Sequence, residues 1–172
     1  MAIYFELVVN FGDNVEAAQA AALTDPRPFV LRAGTHRIPL HRPILRTDES
    51  CIELTILPVA VGFGVVADGS LPRIRLTTAE LTELGHQLYA LLAKFDGYIA
   101  AKVGWDPESF LDPGDLKSDW TPDELSDGSI HGLVLSEQLH AELGLGDDYV
   151  IFQPGYRWIP YRGEKPGSLS AD

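Results

Sequence analysis

TTAELTELGHQLYALLAKFDGYIAAKVGW, residues 77–105, decides the fold. Thr77 and Glu80 have the spacing of a capping box, in which each side chain satisfies the other's backbone N–H at the open end of a helix. Behind them Leu81, Leu84, Leu88, Leu91, Leu92 and Phe95 recur at helical spacing, which makes one face apolar. Lys94 suits the negative end of the helix dipole, and Gly97 offers a left-handed stop. Tyr98 to Trp105 then predicts a strand.

Toward the amino terminus, Ile3 to Phe11 is rich in strand formers, as a strand buried on both faces requires. Asp13 with Glu16 predicts a capped, alanine-rich helix over Val15–Leu23, halted by Asp25-Pro26. Pro28–Leu31 reads as a strand, and Gly34–Pro43 as extended edge structure. Cys51–Leu57 and Phe63–Ala67 are two more strands. Asp68-Gly69 would turn the second into a partner at Arg73–Leu76. The order up to Trp105 is that of a ferredoxin-like βαββαβ body with an extra hairpin or an extended strand.

Beyond residue 128, Ile130–Leu135 predicts a strand, and Ser136 caps a helix carrying Leu139 and Leu143 that ends at Gly144 and Gly146. Tyr149–Phe152, the turn Pro154-Gly155 and Tyr156–Arg162 make a terminal hairpin. The expected fold is α+β: an antiparallel or mixed sheet with two or three helices, and a C-terminal strand-helix-hairpin unit packed on the body. The expected divisions are a body over 1–105, an acidic connecting loop over 106–128, the C-terminal unit over 129–162 and a flexible tail over 163–172, all in a single domain.

The acidic loop stands apart in composition. Between Asp106 and Asp127 lie eight carboxylates against one cation, Lys117, together with Phe110, Trp120 and three prolines. The whole chain of 172 residues carries a formal charge of −12. At long range that charge repels nucleic-acid phosphates and anionic membranes, so neither is an expected partner. An opposite block lies early, where Arg27, Arg32, Arg37, Arg42 and Arg46 accompany His36 and His41 with no carboxylate until Asp48. The hydrophobic fraction of 45% suits a globular domain large enough to dispense with disulfides. The single Cys51, an amino terminus with no positive n-region and with Glu6 interrupting its apolar run, and the short apolar stretch Leu54–Ala67 point to a soluble, cytoplasmic protein.

No catalytic residue, metal ligand set or cofactor signature emerges. The glycines from Gly62 to Gly69 lack the Gly-Lys-Ser/Thr ending of a phosphate loop. No Gly-x-Ser-x-Gly elbow is present, no two histidines stand in a His-x-x-x-His pair, and Cys51 lies among aliphatic residues. Nor do the aspartates follow EF-hand spacing. Tryptophans interleaved with carboxylates are the feature solvation leaves unexplained, and they mark Asp112, Asp115, Asp119, Trp120 and Asp123 as a surface for a basic protein partner. In size, charge and aromatic–acidic mix, though not in any motif, the chain resembles the small acidic immunity proteins that bacteria make against their own nuclease toxins. Two alternatives stand beside that expectation. One is an anionic small-molecule site, enzymatic or not, built from Arg32, His36, Arg37, His41 and Arg42. The other is a homo-oligomer in which the basic and acidic blocks meet across chains. Whether Trp105 and Trp120 point into the body or out of it separates a solvated lid from a binding face.

Overall fold

The computed structural model describes residues 2–24, 30–47, 51–64 and 71–172. Its centre is β1 (Ile3–Asn10), whose last six residues are buried on both faces, as its composition predicts. Helix α1 (Val15–Leu23) follows. Its cap is Asn14 and not Asp13: Gly12 carries the turn after β1 at φ 58°, and the Asn14 side chain accepts from the Ala17 N–H. The proposed stop at Asp25-Pro26 lies outside the described residues.

The strand predicted at Pro28–Leu31 begins, among the described residues, at Leu31. It forms β2 (Leu31–Ala33), which pairs only with β3 (His36–Ile38) in a separate hairpin. Strands β4 (Ile44–Thr47) and β5 (Ile52–Ile56) come next, then the two-residue β6 (Gly62–Phe63). The turn at Asp68-Gly69 lies outside the described residues. Among the described residues Arg73–Leu76 joins no ladder, and most of its expected partner Phe63–Ala67 lies outside them; the Ile74 N–H donates to the Ala60 carbonyl at 2.9 Å. Helix α2 (Thr78–Leu92) carries both halves of the Thr77–Glu80 capping box. It ends at an Ala93 cap, four residues before the left-handed Gly97, and β7 (Ala100–Trp105) follows.

The acidic stretch is helical where a loop was expected. A 3-10 turn at Pro107–Phe110 leads into α3 (Pro113–Ser118) and α4 (Pro122–Ser126). Each begins with proline, whose missing N–H and fixed φ suit a first helical position. Each is also capped, by Asp112 and by a Thr121–Glu124 box. Then come β8 (Val134–Ser136), α5 (Glu137–Glu142), β9 (Val150–Gln153) and β10 (Tyr156–Trp158). Among the described residues there are five α-helices, against the two or three expected.

The class is α+β, and every strand pair described is antiparallel. One sheet runs β4-β5-β1-β7-β8-β10-β9, with β6 pairing the start of β1. The C-terminal strands therefore extend the body's sheet. Phe5, Leu7 and Val9 face one core together with Ala18, Ala21 and the leucines of α2. On the opposite face Val8 meets Leu111, Leu116, Leu125 and Leu139. The acidic segment thus forms a third layer over the β7 side of the sheet, while β4, at the far edge, is exposed along its whole length. Residues 163–172, expected as a flexible tail, are docked: the Ala171 N–H donates to the Leu76 carbonyl, and Asp172 accepts from the Thr78 hydroxyl at 2.6 Å. No helix among the described residues is long and apolar enough to cross a membrane.

Candidate functional site

Leucines pin the acidic segment to the sheet. Leu111, Leu116 and Leu125 are fully buried, and burying each contributes about 1.5–3 kcal/mol. Asn10, completely buried in β1, adds a polar tie by donating Nδ2–H to the Leu111 carbonyl at 2.9 Å. Facing away from these anchors, Asp115, Asp119, Asp123 and Glu124 are exposed. Asp112 is half-buried because its carboxylate accepts from the Gly114 and Asp115 N–H groups at the α3 entrance. The segment's one cation, Lys117, is held by Glu142 of α5 at 2.7 Å. The outer surface of α3 and α4 is therefore predominantly negative, with Lys117 paired to Glu142.

Both tryptophans in question pack on the body. Trp105 stands edge-on to Phe5 with ring centroids 5.4 Å apart. Trp120 lies half-buried against the second core, 6.1 Å from the Phe110 ring. The aromatic residues hold the segment in place, and the carboxylates make its surface.

The basic block does not converge. Arg32 and Arg37 are directly opposed in the β2–β3 hairpin and both exposed, a like-charge pairing that costs stability. His36 lies on the α2 side, near Glu80, whose carboxylate is held ionised chiefly by hydrogen bonds from Thr77 and only slightly by His36. His41 and Arg42 lie on a separate stretch, tied to the end of β5 by the His41 N–H donating to the Leu57 carbonyl. Across the two blocks, Arg46 reaches Glu108 at 3.7 Å, with both side chains largely exposed.

That contact sits at the mouth of a cleft of about 520 Å³ which the sequence did not mark. Its polar groups are Glu6, Asp106, Glu108 and Arg46, and its walls include Tyr4, Ile44 and Leu57. Glu6 is only 6% exposed and has no hydrogen bond or ion pair among the described residues; since no enclosed side-chain polar atom there lacks a partner, its carboxyl oxygens open into the cleft. Burial, reinforced by the negative charges of Glu108, Asp106 and Glu53 and opposed by Arg46, pushes its pKa up to about 7. Asp106 holds a left-handed backbone at φ 43°, which non-glycine residues rarely adopt. Two hydrogen bonds fix it there: the Tyr4 N–H donates to Oδ1, and the Asp106 N–H donates to the Tyr4 carbonyl, both at 3.1 Å.

Comparison of the chain with protein-family models, with curated proteins and with solved structures finds no match. The site is therefore read from its own chemistry. A carboxyl titrating near neutrality can give or take a proton, and its ionised form attracts a cation. Among the described residues no group of three or more histidine, cysteine or acidic side chains could hold a metal ion. A second ionisable group, the half-buried Lys102 on β7, is structural: its ammonium donates to the His131 carbonyl at 2.9 Å and ties β7 to the segment before β8. Burial lowers its pKa to about 8; burial first, then Lys102, Arg162 and Lys165, lower that of His131 to about 4.

The signal for the cleft lies in Glu6. It is the one acid in Ile3–Asn10, and a lone charge in a strand buried on both faces needs a reason beyond packing.

Proposed function

We propose that this chain is a non-catalytic binding protein of the cytoplasm that captures a basic protein partner through the outer surface of α3 and α4, as an inhibitor or immunity protein would. The observation that carries the proposal is the division of labour in residues 106–127: leucines and aromatic rings turn inward, and Asp115, Asp119 and Asp123 turn outward. Such a predominantly negative surface raises encounter rates with a cationic partner and suppresses wrong partners. Asp112 serves chiefly as the cap that holds α3 in place, and Trp120 as a half-buried edge beside the charges. We read the body as a ferredoxin-like sandwich, supported by the antiparallel run β4-β5-β1-β7 and by α1 and α2 packing into one core.

Affinity capture at low and high salt tests this. The variant Asp115→Asn/Asp119→Asn is compared with a charge-matched control, Asp13→Asn/Glu16→Gln, in which both changed residues are exposed at the start of α1. The expected result is a basic protein retained at low salt by wild type and control, and lost by the α3 variant. Equal capture by both variants, or capture indifferent to salt, would overturn the proposal.

A further inference from the structure

We propose that the cleft between β1, β4 and the 3-10 turn binds a small organic cation, an ammonium or guanidinium on an aliphatic stem, with Glu6 at its floor and Asp106 and Glu108 beside it. The inference does not depend on the partner-binding role of α3 and α4.

The floor supplies the first argument. An acid 6% exposed, with no donor bound to it among the described residues and its carboxyl oxygens opening into the cleft, is costly to ionise there unless a cation meets it. Asp106 is held in the same cleft by its strained backbone and by the Tyr4 N–H, so its position is fixed before any ligand arrives. Gly104 is the ladder partner of Glu6, and a Cβ built there meets nothing within 4 Å, so no side chain on β7 covers Glu6 from that position.

The lining supplies the second. Glu6, Asp106 and Glu108 present oxygen acceptors, whereas Ile44 and Leu57 offer apolar wall. Carboxylates spread around about 520 Å³, without the grouping a metal ion requires, suit a ligand with several N–H donors and a hydrocarbon stem. Arg46 already shows the chemistry, since its guanidinium rests on Glu108 at 3.7 Å with 62% of its side chain exposed. A bound cation can displace it outward into water.

The groups facing Glu6 set the pH response. Glu108, Asp106 and Glu53 disfavour its charge, and Arg46 favours it. A cation selects the ionised form, so affinity should rise as pH passes through about 7 and then level off.

Calorimetric titration of the full chain with agmatine and putrescine, and with the blocked peptide Gly-Arg-Gly, tests the proposal. Agmatine is expected to bind above neutral pH, and Glu6→Gln to weaken it about tenfold or more. Asp106→Asn, which can keep both the left-handed backbone and the acceptor, should weaken it severalfold. Glu16→Gln should leave it unchanged. Thermal melts of each variant keep loss of binding distinct from loss of fold. Binding of the free cations but not the peptide assigns the cleft to a small metabolite; binding of the peptide as well assigns it to an exposed arginine. Absence of binding by all three probes, or equal binding by wild type and Glu6→Gln, overturns the proposal.

Discussion

Glu6 lies directly opposite Gly104 in the β1–β7 ladder, so a buried carboxylate faces a position with no side chain to screen or satisfy it. The arrangement favours an open cleft over a stable sheet, and its energetic consequence is measurable. The Glu6 pKa is raised from 4.5 to about 7 on folding. Between those values the folded chain holds a proton that the unfolded chain releases. Stability from this group is therefore fully present below about pH 4.5 and is lost as pH rises through about 7. Glu6→Gln should leave stability unchanged in acid and raise it by roughly 1–3 kcal/mol above neutrality, read as a higher Tm at the same pH. A lower Tm at high pH would show that Glu6 has a partner in the native state.

Asp106 is expected to discriminate between two small changes. Asparagine tolerates left-handed backbone and keeps an acceptor for the Tyr4 N–H, so Asp106→Asn should be near neutral. Asp106→Ala keeps the strain and loses the acceptor, and should lower stability by about 1–2 kcal/mol in chemical denaturation.

Asn10 couples the central strand to the acidic layer. Asn10→Ala removes the buried donor to the Leu111 carbonyl and the part-buried acceptor of the Gly12 N–H. A loss of about 2 kcal/mol is expected, with faster hydrogen exchange concentrated in residues 106–127. Uniform acceleration across the sheet would contradict a specific tie.

Lys102 should titrate with a midpoint near 8 when its ε-carbon is followed by NMR, because burial penalises the ammonium. The sign is opposite to that at Glu6: this group's penalty is present below about pH 8 and is relieved between there and the ordinary lysine value of 10.5. A midpoint at the ordinary value would mean that the amine reaches water.

Much of the framework is legible in the sequence because local chemistry carried it. The Thr77–Glu80 box and the leucine spacing locate α2, and the alanine run locates α1. The acidic stretch is harder, since its charges mask a local logic that is nonetheless present: prolines at first helical positions, preceded by Asp112 and Thr121 as caps. Of the cleft, only the lone acid Glu6 is legible. The cleft joins Glu6, Arg46 and Asp106, residues far apart in the chain that only the β4-β5-β1-β7 order brings together. The same distance in sequence explains the basic block, where closeness along the chain suggested one site and the hairpin turned alternate side chains to opposite faces.

The most direct measurement is a chemical-shift titration of the labelled protein with a nona-arginine peptide at low salt. If the α3–α4 surface is the capture face, the largest shifts fall on residues 112–124, fade on adding salt, and vanish in Asp115→Asn/Asp119→Asn. Shifts concentrated on α1 or on the β9 edge, with residues 112–124 unmoved, would contradict the account.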